Sequence, residues 1–174
     1  MFVVYTEDLD RVPDNPALGA RESLVLRSLD DPSRFVRFDA FATEAAARLG
    51  GAHPYRLVCE VQGRWIEAPT HAVYAKWQVD DPRGAAAFEE SRRRLFVLRS
   101  HVLPTFVGDW LLKHLDNEGQ YMVLGLYGDM DGATRLCRDH PEIKQFAQQH
   151  PATEFSARDI TGLQCFRIEQ RGLM

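Results

Sequence analysis

The stretch Phe106-Val-Gly-Asp-Trp-Leu-Leu-Lys-His-Leu115 and the run Tyr121-Met-Val-Leu-Gly-Leu-Tyr127 decide the fold. Both are rich in aromatic and aliphatic residues, which favour strands. Asp116-Asn-Glu-Gly119 lies between them and has the composition of a turn. The two stretches therefore predict a β-hairpin.

The second strand of this hairpin is apolar on both faces. Because successive side chains of a strand point to opposite sides, Tyr121 and Tyr127 share one face while Met122 and Leu126 share the other. A sheet that contains such a strand needs cover on both sides. We expect one face to pack against helices and the other against a second sheet.

Further elements surround the hairpin. Residues 71–79 predict a strand, and Asp80-Asp81-Pro82 ends it and starts a helix over 82–101, where an apolar residue recurs every seven positions. A second helix is expected over 133–149 and a last strand over 162–169. The order βαββαβ is that of a ferredoxin-like unit, an α+β arrangement with two helices on one face of an antiparallel sheet.

The N-terminal part carries a partial copy of the same segment, since residues 26–54 match residues 112–141 once one residue is inserted. The matching pairs are Leu26/Leu112, Leu29/Leu115, Asp30/Asp116, Phe35/Tyr121, Phe41/Tyr127, Ala46/Ala133, Arg48/Arg135, Leu49/Leu136, His53/His140 and Pro54/Pro141. A repeat this long indicates two domains rather than a solenoid. We therefore predict two ferredoxin-like units in tandem, a trimmed unit over 1–70 and a complete unit over 71–174.

The N-terminal unit is trimmed because it lacks room for a first helix. Strands are expected over 1–6, 23–29 and 34–41, and a helix is expected to open at Thr43 or Glu44. Residues 8–20 contain two prolines and a glycine and predict a loop. Residues 55–66 fit either a continued helix or a strand.

Composition limits the class of protein. The 174 residues are 45% hydrophobic, which is enough for a core, and a net charge of −4 with a pI near 5.9 gives no attraction to nucleic acid. Three cysteines without a C-x-x-C pair indicate reduced thiols and a cytoplasmic location. No apolar stretch reaches membrane-spanning length, and the N-terminal residues are acidic rather than basic. We expect a protein of the cell interior that binds neither membrane nor nucleic acid.

The stretch from Ser91 to Pro141 resembles the antibiotic biosynthesis monooxygenase domain of the dimeric α/β barrel superfamily. The resemblance rests on a helix ending in Leu103-Pro-Thr-Phe-Val-Gly108, the turn Leu115-Asp-Asn117, an aromatic at Tyr127 and the pair His140-Pro141. It implies two sheets packed face to face, here as a fused dimeric α/β barrel in one chain. It also implies cofactor-independent oxygenation of a small phenol- or quinol-like aromatic molecule.

Other functions remain open. One is a non-catalytic ligand-binding or assembly protein of the same fold, and another is haem binding. The haem-degrading branch of the superfamily has an Asn on the first strand and a Trp and a His at the second helix. Here the strand offers Tyr74, Lys76 and Gln78, and Leu136 and Phe146 stand near the other two positions, so haem oxygenation is not expected. The expected partner is a small hydrophobic or aromatic molecule, and the chain is also a candidate for homodimer formation.

A cofactor-free oxygenase needs a base and hydrogen-bond donors inside an apolar cavity. The candidate catalytic residues are Tyr127, His101 and Lys76, and the candidate substrate-binding residues are Tyr74, Trp77, Trp110 and Phe106. Alternation puts Tyr74 and Lys76 on one strand face and Trp77 on the other, so these three cannot line one pocket. No metal-ligand spacing such as H-x-x-x-H occurs, and a working pocket is expected within residues 72–169.

Two groups of charged residues complete the expectations. Arg92-Arg93-Arg94 and Arg99 fit a solvated helix face, with ion pairs to Glu89 and Glu90. Arg37 and Asp39 share a strand face with Phe35 and Phe41. If that face packs against the other sheet, the charge pair lies between the two sheets and marks a candidate site.

Overall fold

The computed structural model describes residues 1–9, 17–65 and 67–173. Its N-terminal half contains four strands, and one helix follows the third of them. These elements are β1 (Phe2–Leu9), β2 (Glu22–Ser28), β3 (Phe35–Phe41), α1 (Glu44–Gly50) and β4 (Pro54–Gln62). Helix α1 begins where expected because the Thr43 hydroxyl accepts a hydrogen bond from the Ala46 amide at 3.2 Å.

The C-terminal half contains the predicted βαββαβ order with one extra short strand. Its elements are β5 (His71–Val79), α2 (Ala85–Val102), β6 (Phe106–His114), β7 (Gln120–Tyr127), α3 (Cys137–Asp139), α4 (Pro141–Gln149), β8 (Ala157–Asp159) and β9 (Gln164–Leu173). A π-helical turn, Gly132–Leu136, leads into α3, and Pro141 starts α4 because it cannot continue the preceding helix.

Eight of these strands close into one antiparallel barrel. Their order is β7-β6-β4-β1-β3-β2-β9-β5, and pairing of β5 with β7 closes the ring, while β8 lies on the side of β5. In the N-terminal half the neighbours run β4-β1-β3-β2, and in the C-terminal half they run β9-β5-β7-β6. Each half therefore uses the strand order of a ferredoxin-like sheet, and the pairs β4–β6 and β2–β9 join the halves.

The alternating side chains of the strands separate the barrel interior from its outer surface. Met122 and Leu126 of β7 point into the barrel, where they join a core that includes Phe38 of β3. Tyr121 and Tyr127 of the same strand point outward into a second core beneath the helices of the C-terminal half. Both faces of β7 are buried, as the sequence predicted, and the second sheet that covers its inner face belongs to the same chain.

Several expectations need correction. Of residues 55–66, which fit either a helix or a strand by sequence, those up to Gln62 belong to β4 (Pro54–Gln62), and residue 66 lies outside the described residues. Arg37 and Asp39 lie on the outer face of β3 with Phe41, and Val4 of the neighbouring β1 lies opposite Asp39; the face that meets the other sheet contains Val36 and Phe38. Asp39 is fully buried there, and its carboxylate lies 2.6 Å from Arg37 Nε. In the segment expected as a loop, β1 extends through residue 9, and residues 10–16 lie outside the described residues.

Candidate functional site

The structure separates the seven predicted site residues into three places. Tyr74, Lys76 and Trp110 point into the barrel, Tyr127, Phe106 and Trp77 lie on its outer face beneath the helices, and His101 is exposed in the last turn of α2. The predicted residues therefore do not form one site. Each group has its own surroundings and chemistry.

One end of the barrel opens into a cavity of about 370 Å³, which we call the lumen cavity. This volume lies within the range of small-molecule sites. Its described walls are mostly apolar, with polar side chains from β2 and β4; the lining residues are Met1, Val3, Glu22, Ser23, Leu24, Phe38, Ala40, Glu60, Gln62, Trp110, Leu112, Leu124 and Leu126. The cavity uses both halves of the chain, whereas the sequence predicted a pocket within residues 72–169 alone.

The register of the strands gives the lumen cavity a polar mouth and an apolar interior. Glu60 of β4 lies opposite Trp110 of β6, and its Oε1 accepts a hydrogen bond from Gln62 Nε2 at 3.0 Å. Both polar side chains are exposed at the barrel end. On the other side of Trp110, Leu124 of β7 lies opposite it and adds an apolar side chain to the wall. A ligand with one polar group therefore fits with its apolar part inside and its polar group at the mouth.

The opposite end of the lumen is filled by a hydrogen-bonded cluster. The hydroxyl groups of Tyr5 and Tyr74 share a hydrogen bond of 2.6 Å, and the Lys76 ammonium lies 4.3 Å from the centre of the Tyr5 ring. Lys76 also forms an ion pair with Glu7, and Arg34 donates to Gln164 Oε1 at 3.1 Å. These contacts join β1 to β5, and join Arg34, the residue before β3, to β9. This end of the barrel is therefore filled, and the lumen cavity opens at the other end.

The ionisation of this cluster favours a structural role for Lys76. Burial alone raises the pKa of Glu7, but the hydrogen bond and charge of Lys76 outweigh it, so the pKa of Glu7 is lowered. Burial, followed by the hydrogen bond to Tyr74, raises the pKa of Tyr5 far above its ordinary value. At neutral pH Lys76 is thus paired with a carboxylate and lies beside a neutral phenol.

On the outer face of the barrel, Tyr127 lies in a second buried polar group. Its ring packs edge-on against Phe106 with the centres 5.9 Å apart, and the residue is fully buried. Beside it, Arg99 Nη1 donates to Asp109 Oδ2 at 3.0 Å and Nη2 donates to the Cys137 carbonyl at 3.1 Å. Among the described residues, no group hydrogen-bonds the Tyr127 hydroxyl.

Burial controls the ionisation of both acids in this group. It raises the pKa of Tyr127 well above its ordinary value, and the nearby Asp109 charge adds to the rise. Burial also raises the pKa of Asp109, while the Arg99 guanidinium opposes that rise. Tyr127 is therefore a neutral phenol at physiological pH, packed within the core, and it does not line the lumen cavity.

Sequence reasoning missed the Arg99–Asp109 pair, although one signal was present. Asp109 stands in an otherwise apolar strand opposite Gly125 of β7. A Cβ atom at Gly125 would lie 2.5 Å from Asp109 Oδ1, so the glycine makes room for the carboxylate. A charged residue in a buried strand, paired with a glycine on the next strand, indicates a buried polar group.

The arginine cluster of α2 is not a solvated face. Arg92 is buried, with its guanidinium 5.1 Å from the centre of the Trp77 ring and 5.2 Å from that of Phe88. Burial, with a smaller effect from the Arg99 charge, lowers the pKa of Arg92 to about 10. Arg93 is exposed and pairs with Glu90 at 2.8 Å, as predicted for a solvated pair. The predicted substrate-binding residue Trp77 is therefore covered by Arg92 and Phe88.

The described residues contain neither a cluster of metal-binding side chains nor a helix that could cross a membrane. Within residues 1–9, 17–65 and 67–173, no three His, Cys, Asp or Glu side chains are grouped so that they could hold a metal ion. In the same part of the chain, no helix has the length and apolar character needed to cross a membrane.

Comparison with known proteins identifies the fold. No protein-family model and no curated protein matches the chain. Solved structures similar to it include an anthrone oxidase-like protein, with 11% identity, a TM-score of 0.64, and coverage of 99% of this chain and 92% of that one. A ferredoxin-fold protein from Listeria monocytogenes related to antibiotic biosynthesis monooxygenases has 9% identity, a TM-score of 0.59, and coverage of 97% and 94%. A haem-degrading enzyme from the same organism has 11% identity, a TM-score of 0.57, and coverage of 96% and 99%.

These similarities confirm the ferredoxin-like part of the fold that the sequence resemblance implied. The chain has the ferredoxin-like α+β fold found in proteins related to antibiotic biosynthesis monooxygenases. At these identities the likeness concerns the fold and leaves the substrate unassigned.

Proposed function

We propose that this protein is a cofactor-independent monooxygenase whose substrate is a small phenol- or quinol-like aromatic molecule bound in the lumen cavity. The observation that carries the proposal is the cavity itself, which combines the aromatic walls of Phe38 and Trp110 with the carboxylates of Glu22 and Glu60. The fold shared with an anthrone oxidase-like protein supports the same class of chemistry.

The chemistry requires a base next to an apolar space. A carboxylate at the mouth accepts the proton of a substrate hydroxyl, and the resulting electron-rich anion reacts with dioxygen inside the cavity. For an anthrone-like substrate, dioxygen converts the ring CH₂ group to a carbonyl and its second oxygen atom leaves as water, so no outside reductant is consumed. Glu60 is the base we favour, because Gln62 holds its carboxylate in place beside Trp110.

The predicted site residues take different roles in this proposal. Trp110 is the substrate-binding residue, since its ring provides a flat apolar surface in the cavity wall. Tyr74 supports the floor through Phe38, with the two ring centres 6.2 Å apart. Lys76, Tyr127 and His101 do not line this cavity, and we assign them no part in the reaction there.

The test is oxygen uptake by the purified protein with an anthrone as substrate, in the presence of a metal chelator and without added cofactor. We expect turnover that falls about a hundredfold in Glu60→Gln, the typical loss for a removed general base. Leu124→Trp, which fills the cavity, should abolish turnover, whereas Trp77→Phe on the outer face should preserve it. Turnover that survives Leu124→Trp would show that the reaction takes place elsewhere.

A non-catalytic ligand-binding protein is the second candidate, and the exposure of Glu22 and Glu60 favours it. An exposed carboxylate keeps contact with water, which weakens its control of a reactive anion. In that case the aromatic ligand binds, Leu124→Trp prevents binding, and no oxygen is consumed. Haem is disfavoured as the ligand because the described cavity walls contain no His, Cys or Tyr, and Met1 has no His beside it in the lining with which to hold the iron. A haemin titration without a Soret shift would agree with that.

We also infer that the barrel is a fused pair of units, with the boundary near residue 70 between β4 and β5. The support is the common strand order of the two halves together with the sequence matches between them. A cytoplasmic location is part of the proposal, since Cys59, Cys137 and Cys165 are free thiols. Residues 71–174 expressed alone should pair with a second copy to complete a barrel, and a strictly monomeric fragment would count against the inference.

A further inference from the structure

An apolar groove bordered by basic side chains runs between α2 and α4. This helix groove has a volume of about 490 Å³ and is lined by Arg93, Arg94, Val97, Leu98, His101 and Phe146. Val97 in this groove is 39% exposed. All the charged groups in its described lining are basic.

Two of those basic groups are available to a partner. Arg93 is occupied by Glu90, but Arg94 lies over the Phe146 ring at 6.0 Å. In the described part of the chain, no carboxylate pairs with Arg94 or with the exposed His101. The groove therefore fits a segment that has an apolar side chain flanked by carboxylates.

This chain contains such a segment in the turn Asp129-Met130-Asp131, which follows β7. Met130 is 53% exposed and has a carboxylate on each side. The exposed large apolar residues of the described chain are Met1, Leu18, Leu49, Val97, Met130 and Ile160. Of these six, Met130 has an acidic residue on each side in the sequence. Asp129 Oδ1 accepts a hydrogen bond from the Gly132 amide at 2.6 Å, which fixes the turn.

The acidic turn and the helix groove lie near the same end of α2. The Gly128 amide donates to the Thr105 carbonyl at 2.8 Å, and Thr105 comes three residues after the last residue of α2. A two-fold axis relates two copies through one surface patch on each, so both complementary parts must lie on the same side of the molecule. Both the turn and the groove lie toward the C-terminal end of α2.

We propose that two copies of this chain associate through these parts, with the Met130 side chain of each inserted into the helix groove of the other. Met130 contacts Val97 and the Phe146 ring, a favourable arrangement for a thioether. Asp131 of one copy approaches Arg94 of the other and exchanges its exposed bidentate pair with Arg135 of its own chain for that contact. The interface is small, so the dimer is a weak one.

Sedimentation velocity of the full chain, from about 5 to about 500 µM, measures this association in the range expected for a small interface. The weight-average mass should rise toward that of a dimer and fall again in high salt, which screens the charges. Val97→Asp and Met130→Asp should each weaken association about tenfold or more. Leu49→Asp, at an exposed apolar residue of α1, is the matched control and should leave the dimer unchanged.

Mixing the two variants gives the sharpest test. Val97→Asp has an intact acidic turn and Met130→Asp has an intact groove, so one working contact forms only between the two different variants. The mixture should therefore associate more strongly than either variant alone. A wild-type protein that stays monomeric up to the highest concentration, or a mixture no stronger than its components, would overturn the proposal. The test does not involve the lumen cavity, so its result is separate from that of the proposed function.

Discussion

The buried pair of Arg99 and Asp109 allows a quantitative test of the C-terminal core. The Asp109 side chain is fully buried, that of Arg99 is 10% exposed, and their charged atoms are 3.0 Å apart. In Asp109→Ala, Arg99 keeps only its hydrogen bond to the Cys137 carbonyl, and its charge stays in the core without a counterion. Loss of one partner from a buried pair costs about 3–5 kcal/mol of unfolding free energy. For a chain of this length the midpoint of thermal unfolding should fall by about 10 °C.

Urea unfolding followed by far-UV circular dichroism measures the change, with Arg93→Ala as the control. Arg93 forms an exposed pair with Glu90 on the same helix, so its removal should cost less than about 1 kcal/mol. The double variant Arg99→Met/Asp109→Leu removes both charges and should recover most of the loss. A cost in Asp109→Ala no larger than in Arg93→Ala would refute the reasoning, because it would mean that Asp109 carries no buried charge.

Three further predictions follow from individual contacts. Tyr127→Phe removes a buried hydroxyl that lacks a described partner, so unfolding free energy should stay the same or rise by up to about 1 kcal/mol, and a clear loss would reveal a hidden hydrogen bond. Burial, and then the His53 charge, lowers the pKa of His114, so the folded state binds fewer protons than the unfolded state. The free energy of unfolding should therefore fall as the pH drops below about 6.5, and it should fall less in His114→Asn. Urea melts at a series of pH values measure the difference. Gly63→Ala would place a Cβ atom 1.9 Å from the Phe106 carbonyl oxygen and should cost about 3 kcal/mol, measured by the same urea melts; a neutral result would mean that this approach is looser.

Local patterns were sufficient to predict the C-terminal half. The alternation in Tyr121 to Tyr127 marked both buried faces of β7. Asp81 with Pro82 marked the start of a 3₁₀ turn, Pro82–Gly84, that leads into α2, and the Asp81 carboxylate accepts a hydrogen bond there from the Arg83 amide at 3.0 Å. These signals depend on residues only a few positions apart, so they can be read from a single sequence. Strand β4 was ambiguous because its partner β6 belongs to the other half of the chain. Pairing between distant segments, rather than local propensity, decides that strand.

The candidate site was less predictable for the same reason. The lumen cavity brings together Leu24, Phe38, Glu60 and Trp110 from four different strands, and only the closure of the barrel makes them neighbours. Of these, Trp110 was a predicted site residue. Tyr127 has the sequence signal of a site residue, an aromatic side chain at a strand end, but its position on the outer face places it in the helix-covered core. Strand alternation gives the face of each residue, and the closed barrel decides which face encloses a cavity.

A crystal structure of the protein soaked with a small quinol tests most directly whether the lumen cavity is the binding site. We predict density for the aromatic ring between Phe38 and Trp110, with its hydroxyl group next to Glu60 at the barrel mouth. A quinol found instead beneath α2, in contact with Tyr127 and Arg99, would contradict the assignment of the site to the lumen.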